Sequence, residues 1–417
     1  KLIVDRELIL SDENLNPTSD KMSVHKITTL NIENEIQITE NKASVIKNNL
    51  KKNITETDIS VQDIEKIRDD ISTGKGTFDI QYAKKILENL GIKIIRGGTS
   101  TQKADIVLDV AYNGKIFTDE GFGIKSYLGS KPTLLNASGS NTNFVYELVG
   151  FKEEYLEEVN KINSKNKIKD RISKIIDAGV KFEFSHVEAE TMQNNLAILD
   201  DGMPFLVSQM LINFYLNRLS SVNKNLENTV KNNSAFQTNQ IGLNGYQIKV
   251  KRFLVAILLG MFAGKKWDGK YTANGSIVVK QSGSQLAFHI VKLDVLENYL
   301  FKTIKFDTPS TIRHRFASVY KERDGKFYFK LNIQLRCWHK YKPKVTMFIN
   351  NIENSLDKII EYLYKKDEKF FAIVDDIKIP TQRNPSDGFC LIVETIISQQ
   401  LSNKASEAIF NRFLQSF

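Results

Sequence analysis

The sequence predicts a mixed α+β fold with α/β character. We expect a mixed sheet flanked by helices, a second mixed α+β region, and a short all-α segment at the C-terminus. Three observations support this prediction. Apolar residues at helical spacing alternate along the chain with short strand-like runs. Asn113-Gly114 and Asp324-Gly325 are signals for tight hairpins. Hydrophobic residues make up 41% of the chain, which is enough to form buried cores.

The length indicates more than one domain, because a domain averages about 150 residues and the sequence has 417. We expect, in order, a polar β-hairpin region, a core with helices, a basic region, a helix with a charged linker, and terminal helices. The corresponding ranges are 1–60, 61–240, 241–345, 346–384 and 385–417. Because the chain begins with Lys1 and not methionine, we also expect residues to be missing upstream.

The two cysteines, Cys337 and Cys390, cannot form a disulfide framework or a four-cysteine zinc site. A reducing, cytoplasmic location is therefore expected. The longest apolar run, Phe253–Gly264, falls short of the ~20 residues that cross a bilayer. The sequence thus predicts a protein without a membrane partner.

Positive charge is concentrated in one quarter of the chain. The formal net charge is +9. Residues 249–344 contain 20 basic and 6 acidic side chains, a net of +14, so the rest of the chain sums to −5. A concentrated basic surface is what a polyanion requires, because each neutralised phosphate releases condensed counterions. Nucleic acid is the predicted partner, and a basic surface that serves only solubility is the alternative.

The first 240 residues are predicted to alternate hairpins and helices. Apolar positions around a Glu-Asn-Glu turn indicate a small hairpin near residues 30–38. A helix is predicted over about 78–90, where five apolar residues share one face and Gly91 provides the stop. Further strands are predicted at 92–95, 105–111 and 121–127, and helices at 152–178 and 204–219. Pro204 suits the first turn of the last helix.

The basic region has its own predicted set of elements: a helix over 247–263, strands at 276–281 and 286–291, and a helix near 294–301. A long hairpin then turns at Asp324-Gly325. Alternation in it predicts a polar face of Lys326, Tyr328, Lys330 and Asn332 opposite an apolar face of Phe327, Phe329, Leu331 and Ile333. Helices are predicted over 350–364 and within 385–417.

The segment KADIVLDVAYNGKIFTDEGFGIKSYLG, residues 103–129, contains a pattern suited to phosphodiester hydrolysis. Asp105 lies on one predicted strand and Lys125 on the next, with a tight turn between them. A carboxylate can hold Mg²⁺ against a phosphate, and a nearby ammonium can orient the attacking water or stabilise the transition state. The pattern is a degraded form of the P-D…(D/E)-x-K nuclease motif, because Ala104 replaces the proline and Gly123 occupies the acidic position. A surface hairpin with solvated Asp and Lys side chains is the alternative.

A wider match strengthens this interpretation. The segment GFGIKSYLGSKPTLLNASGSNTNFVYEL, residues 121–148, resembles part of the HpaII-type restriction endonucleases. The resemblance resumes in the same order at ILDDGMP, FLVAILLGMFAGKKWDG, LENYLFKTIKFDTPSTIRHRF and DGKFYFKLNIQLR, and covers most of residues 60–345. It implies a restriction-endonuclease-like sheet and cleavage of double-stranded DNA at CCGG with Mg²⁺. It also implies that Asp105 is a metal ligand and Lys125 the catalytic lysine.

With glycine at the acidic position, a second metal-binding carboxylate must come from elsewhere. Glu147 is preferred because it lies in the matched segment; Asp109 and Glu120 are the alternatives. A ligand from a helix upstream of residue 1 is also possible in such a family.

DNA sequence reading is expected in the basic region. Its candidates are Arg313, His314, Arg315, Arg336 and Lys342. The fork of arginine reaches guanine O6 and N7 together, so Arg313 and Arg336 are the predicted base contacts. Most of the others are expected to contact phosphates, because phosphate contacts outnumber base contacts. His186 and His289 are predicted to be core histidines, and Trp267 and Trp338 packing residues.

The C-terminal segment DGFCLIVETIISQQLSNKASEAIFNRF, residues 387–413, resembles the opening helices of helix-hairpin-helix DNA glycosylases. Gln399 and Gln400 between the two helices are the specific element and are predicted to contact DNA. The resemblance implies that the hairpin and catalytic Asp of such an enzyme would follow Phe417. A plain amphipathic helical pair is the alternative.

These predictions combine into a type II restriction endonuclease with Mg²⁺ as cofactor, fused to the start of a base-excision glycosylase. Its expected partners are double-stranded DNA and, functionally, a cognate cytosine DNA methyltransferase; a homodimer is possible. The alternatives are a non-catalytic DNA-binding module and a DNA-repair nuclease without strict site specificity.

Overall fold

The computed structural model describes residues 1–28, 35–39, 42–47, 50–55, 58–73, 80–92, 102–237 and 241–338. The fold is mixed α+β, as predicted. Contacts between Cα atoms divide the chain into Lys1–His339 and Lys340–Phe417. The second unit, with the predicted helices at 350–364 and 385–417, lies outside the described residues.

The strands of the described part of the chain are β1 (Glu7–Ser11), β2 (Pro17–Thr28), β3 (Glu35–Thr39), β4 (Lys42–Lys47), β5 (Leu50–Ile54), β6 (Ile106–Tyr112), β7 (Lys115–Ser126), β8 (Thr133–Leu135), β9 (Asn143–Val149), β10 (Lys181–Val187), β11 (Gly275–Val279), β12 (Gln285–His289), β13 (Ile304–Phe306), β14 (Val319–Lys321), β15 (Phe327–Asn332) and β16 (Leu335–Cys337).

The helices described are α1 (Leu2–Asp5), α2 (Val61–Thr73), α3 (Gln81–Asn89), α4 (Leu156–Lys161), α5 (Lys167–Asp177), α6 (Glu190–Leu199), α7 (Met203–Asn217), α8 (Val222–Asn232), α9 (Ser234–Gln237), α10 (Gly242–Leu259), α11 (Leu293–Thr303) and α12 (Thr311–His314). Short 3₁₀ turns lie at Gly139–Thr142, Glu153–Tyr155 and Ile290–Lys292. Within the described ranges, no helix is both long and apolar enough to cross a membrane.

The largest sheet has nine strands in the order β1-β12-β11-β7-β6-β2-β3-β4-β5. The pairings β1–β12 and β11–β7 are parallel and the others are antiparallel, so the sheet is mixed. Strand β1 also pairs with β2. This extra pairing closes six strands into a ring, β1-β12-β11-β7-β6-β2, from which β3, β4 and β5 continue.

One hydrophobic cluster occupies the interior of this six-stranded ring. Each strand of the ring contributes at least one buried residue to the cluster, including Leu8, Met22, Leu108, Phe122, Ile277 and Ala287. Because side chains alternate between the two faces of a strand, the residues between these positions point to the outside of the ring. Residues of the outer face, such as Val278 and Phe288, join a second core formed largely with the helices α7, α8, α10 and α11.

Two smaller sheets complete the described fold. One has the order β10-β9-β15-β14 and contains the predicted hairpin that turns at Asp324-Gly325. The other has the order β13-β16-β8 and joins the end of the basic region to the segment that follows β7. Strand β8 begins seven residues after β7 ends, so this second small sheet lies close to the catalytic pattern in sequence.

Several element predictions need correction. The predicted helix over 152–178 is divided into α4 and α5, because the carbonyl groups of Asn160 and Ile162 accept hydrogen bonds from the Arg171 guanidinium instead of continuing a helix. The polar face of the long hairpin is largely covered: Tyr328 and Asn332 are buried.

His186 is exposed and not in the core, because β10 is an edge strand with an irregular register at Phe184/His186. The predictions for His289 and Trp267 are confirmed, since both are buried.

Candidate active site

The β6–β7 hairpin brings Asp105 and Lys125 to one face of the ring. Asn113 and Gly114 both have positive φ, at 50° and 75°, which matches the predicted tight turn. Ile106 pairs with Phe122, whose side chain points into the ring. Asp105, Gly123 and Lys125 are therefore on the opposite, outer face. A Cβ atom built on Gly123 would lie 4.0 Å from Asp105 Oδ2, which confirms that these positions face the same side.

The Asp105 carboxylate is oriented by the neighbouring strand. Its Oδ2 accepts a hydrogen bond from the Ile124 amide at 2.6 Å, and its own amide donates to Phe122 O at 2.8 Å. The side chain is exposed, and Oδ1 makes no hydrogen bond to any described residue. One oxygen is thus fixed by the backbone, while the other is available to a ligand.

Two lysines lie near this face of the hairpin, Lys125 on β7 and Lys103 two residues before Asp105. Lys125 is half-buried and its Nζ donates to Thr133 O at 3.2 Å. Lys103 Nζ lies 3.8 Å from the centroid of the Phe262 ring. Burial, with a smaller contribution from the charge of Lys125, lowers the pKa of Lys103 to about 8. Lys103 was missed by the sequence reasoning, although it lies two residues before Asp105 in the catalytic pattern.

The three candidates for a second carboxylate lie elsewhere. Glu147 is on β9, in the four-stranded sheet, and forms an ion pair with Lys326 at 2.8 Å. Glu120 shares the inner face of the ring with its partner Leu108, and its Oε2 lies 2.8 Å from Nε2 of buried His289. Asp109 is four residues further along β6, about 13 Å at the rise of a strand, and accepts from the Asp119 amide.

The structure therefore brings Asp105 and Lys125 together without Glu147, Asp109 or Glu120. Within the described ranges, no cluster of three or more His, Cys, Asp or Glu side chains could hold a metal ion. Mg²⁺ does not require such a cluster, because it is usually bound by one or two carboxylates together with water and substrate phosphates. The free Oδ1 of Asp105 on an open face fits that mode of binding.

Arg336 joins the basic region to this site. Its Nη1 lies 3.3 Å from Thr133 Oγ1 and 3.2 Å from Lys131 O, and its Nε lies 2.5 Å from Asp307 Oδ2. The carbonyl of Thr133 also accepts the hydrogen bond from Lys125 Nζ. Arg336 and Lys125 thus both contact Thr133, and two nitrogens of the Arg336 guanidinium form hydrogen bonds within the protein.

The other predicted DNA-reading residues lie on the short helix α12 and just after it. Ser310 caps this helix by accepting from the Arg313 amide at 3.3 Å. Arg313 and Arg315 are exposed. His314 Nδ1 accepts from the Gly139 amide at 3.1 Å, and burial, followed by the charge of Arg313, lowers the pKa of His314. Lys342, Gln399 and Gln400 lie outside the described residues.

Comparison with known proteins identifies the family of this chain. The family model described as HpaII restriction endonuclease matches residues 1–337. The Type II restriction enzyme HpaII of Haemophilus parainfluenzae is 32% identical over 345 residues, which cover 81% of this chain and 94% of the relative. No solved structure gives a significant match. Both matches include the hairpin that holds Asp105 and Lys125, and the chain belongs to the HpaII restriction endonuclease family.

Proposed function

We propose that this restriction endonuclease hydrolyses double-stranded DNA at CCGG with Mg²⁺ as cofactor, using Asp105 as metal ligand and Lys125 as catalytic lysine. The observation that carries the proposal is the shared outer face of the β6–β7 hairpin, where Asp105 Oδ1 is free and Lys125 is two residues beyond Gly123. The CCGG site comes from the family resemblance.

Mg²⁺, when bound, supplies positive charge to the phosphate and acidifies a coordinated water. The hydrogen bond from Ile124 to Oδ2 of Asp105 keeps Oδ1 directed away from the strand for this purpose. Thr133 O holds Lys125 Nζ on the same face, where its ammonium can stabilise charge that develops on the scissile phosphate. Lys103 adds a second nitrogen to the same surface. Two lysines and one carboxylate give this surface a net positive charge, which would stabilise a dianionic transition state.

Contacts with the DNA site are proposed for Arg313, His314 and Arg315 at and just after α12 and for Arg336 beside Thr133. A Gly139 amide that donates to Nδ1 of His314 leaves its proton on Nε2. This nitrogen is then a donor for guanine O6 or N7. Arg336 retains Nη2 for a base or a phosphate, because its Nε and Nη1 are the nitrogens bonded within the protein.

A plasmid digest tests the proposal. The full chain is incubated with a plasmid containing mapped CCGG sites, and with a derivative lacking them, in Mg²⁺ or in EDTA, and the fragment ends are sequenced. We expect Mg²⁺-dependent cuts at CCGG alone. Asp105→Asn should abolish cleavage, and Lys125→Gln should reduce its rate by roughly 10²–10³-fold, the usual cost of removing one transition-state donor.

Two matched controls come from the same hairpin. Asp109→Asn keeps an oxygen for the Asp119 amide, and Lys115→Gln changes an exposed lysine at the turn end of β7. Both should cut at the native rate. Specific binding without cleavage by the intact gene product would favour the non-catalytic DNA-binding module instead. Cuts that ignore CCGG would favour a DNA-repair nuclease.

A second activity is proposed for the C-terminal part. The family match ends at residue 337, and the Ser-Gln-Gln-Leu-Ser motif lies beyond it at 398–402. We infer fusion to a base-excision glycosylase. A methyltransferase partner that marks a cytosine carbon would create T·G mismatches on deamination, and a mismatched base is easier to flip out. The gene past Phe417 should then encode a Gly-rich helix-hairpin-helix followed by an Asp; a stop codon there would contradict the fusion.

A further inference from the structure

A basic cleft of about 470 Å³ lies between α5 and the segment that follows α12. Its lining includes Lys167 and Arg171 from α5, Arg315 and Ser318 after α12, and Lys330 from β15. None of its lining residues is acidic. We call it the α5 cleft. Two of its basic residues, Lys167 and Arg171, were not among the predicted DNA contacts.

Charges within the α5 cleft are not balanced. Lys330 is neutralised by Glu188, 2.8 Å away. Arg171 is only 8% exposed, and its guanidinium donates to the carbonyls of Asn160, Ile162 and Ala317 and to Ser318 Oγ. All these acceptors are neutral. Burial lowers the pKa of Arg171, but an arginine keeps its proton. These hydrogen bonds satisfy the guanidinium but bring no negative charge, so its positive charge remains to attract an anion into the cleft.

The hydrogen bonds of Arg171 also shape the wall of the cleft. Ser318 Oγ accepts from Arg171 Nη1 at 2.9 Å, so the hydroxyl hydrogen of this exposed serine remains available to another acceptor. Arg315 and Ala317 both have positive φ, at 49° and 65°. An L-residue in this conformation is disfavoured by about 1–2 kcal/mol. The bond from Arg171 to Ala317 O holds this turn, and the turn presents Arg315 at the cleft.

We propose that the α5 cleft binds one backbone phosphate of the duplex, an inference that rests on double-stranded DNA as the substrate. Lys167 and Arg315 contact the phosphate, and the Ser318 hydroxyl donates a hydrogen bond to it. Arg171, buried behind Ser318, adds electrostatic attraction without touching the phosphate. The open cleft adjoins α12, where Arg313 is exposed. Ile312, 86% exposed at the same cleft, is then placed against the adjacent sugar or base. Contact with the sugar or base would remove the apolar surface of Ile312 from water, which favours binding.

Binding of a fluorescent CCGG duplex to the full chain tests this, in EDTA so that the duplex stays intact. Lys167→Gln and Arg315→Gln should each weaken binding roughly three- to tenfold at low salt. Each should also reduce the slope of log K against log salt, and because both contact the same phosphate the two reductions together should not exceed about 0.9, the value for one phosphate. Lys169→Gln is the matched control, because Lys169 is an exposed lysine of the same helix that does not line the cleft. The unfolding midpoints of all three variants should equal that of the native chain.

Replacing each phosphate in turn by an uncharged methylphosphonate locates the contact. One position should weaken binding of the native chain and of Lys169→Gln, yet add nothing to the defect of Arg315→Gln. The inference is overturned if Lys167→Gln and Arg315→Gln bind the duplex like Lys169→Gln. It is also overturned if inorganic phosphate binds to the native chain and not to Arg315→Gln, yet does not compete with the duplex. Failure of the proposed nuclease function is distinguishable, because the native chain would then leave CCGG plasmids uncut in Mg²⁺ whatever the duplex-binding result.

Discussion

Gly123 occupies the acidic position of the nuclease pattern, and its surroundings leave little room for a side chain. A Cβ atom on this residue would lie 3.0 Å from Lys103 O, closer than most real contacts. The backbone that carries Lys103 and Asp105 therefore crowds the place where an acidic side chain would begin. A single carboxylate in the site is thus a property of the local packing as well as of the sequence.

Gly123→Asp provides a test of this crowding. The new carboxylate would lie beside Asp105, so like-charge repulsion and the contact with Lys103 O should lower the unfolding midpoint in EDTA. Mg²⁺ should recover more of the midpoint in this variant than in the native chain, because bound ligand stabilises the folded state. Gly123→Asn has the same shape without the charge, so it should show only the part of the loss that comes from the contact with Lys103 O, and no added recovery in Mg²⁺. Equal responses to Mg²⁺ in both variants would contradict the assignment of Asp105 as metal ligand.

Asp105 and Lys125 could be predicted from the sequence, because both belong to a nuclease motif and a turn signal, Asn113-Gly114, lies between them in the chain. Sequence reasoning could not reach Arg171 or Lys167, because their neighbours in the cleft come from residues about 150 positions later. It missed Lys103 for another reason. A lysine is an ordinary surface residue in a sequence, and only its burial beside Lys125 sets it apart.

At the element scale, the β6–β7 hairpin depends on its two-residue turn. Gly114 has φ of 75°, and a Cβ atom there would meet nothing within 4 Å. Gly114→Ala should therefore lower the free energy of unfolding by about 1–2 kcal/mol through backbone strain alone. Gly129→Ala is the matched control, because this glycine also has open space but lacks a positive φ. Denaturant unfolding measures both, and Gly129→Ala should show no such loss, because alanine only restricts the unfolded chain. An equal loss in Gly129→Ala would show that the positive φ of Gly114 is not the cause.

Local patterns predicted several helices and strands correctly. The helix predicted over 78–90 appears as α3. The strands predicted at 105–111 and 121–127 appear as β6 and β7, and those predicted at 276–281 and 286–291 appear as β11 and β12. Tyr328 and Asn332 did not follow the pattern, because both faces of β15 are covered. Nor did the sequence indicate that β1 and β2 share a sheet with β12 and β6, since such pairing depends on distant residues.

At the scale of the whole molecule, the stability should depend on alkaline pH through Cys337. Burial raises the pKa of this thiol to about 11, and the charge of Lys125 opposes the shift. Between pH 9 and 11 the unfolded chain loses a proton that the folded chain keeps, so stability present below pH 9 declines as the pH rises. The unfolding midpoint of the native chain should therefore fall more steeply over this interval than that of Cys337→Ala. Parallel curves for the two proteins would exclude this contribution.

The closed ring of six strands also has a kinetic consequence. Leu10 of β1 pairs with Ala287 of β12, so ring closure joins residues 287 − 10 = 277 positions apart. The hairpins β6–β7 and β11–β12 involve neighbouring residues and can form quickly. Contacts between distant residues carry a large loop-closure entropy and slow folding. Refolding of this enzyme should accordingly end with the docking of β1, and nuclease activity should return only after most of the secondary structure has formed.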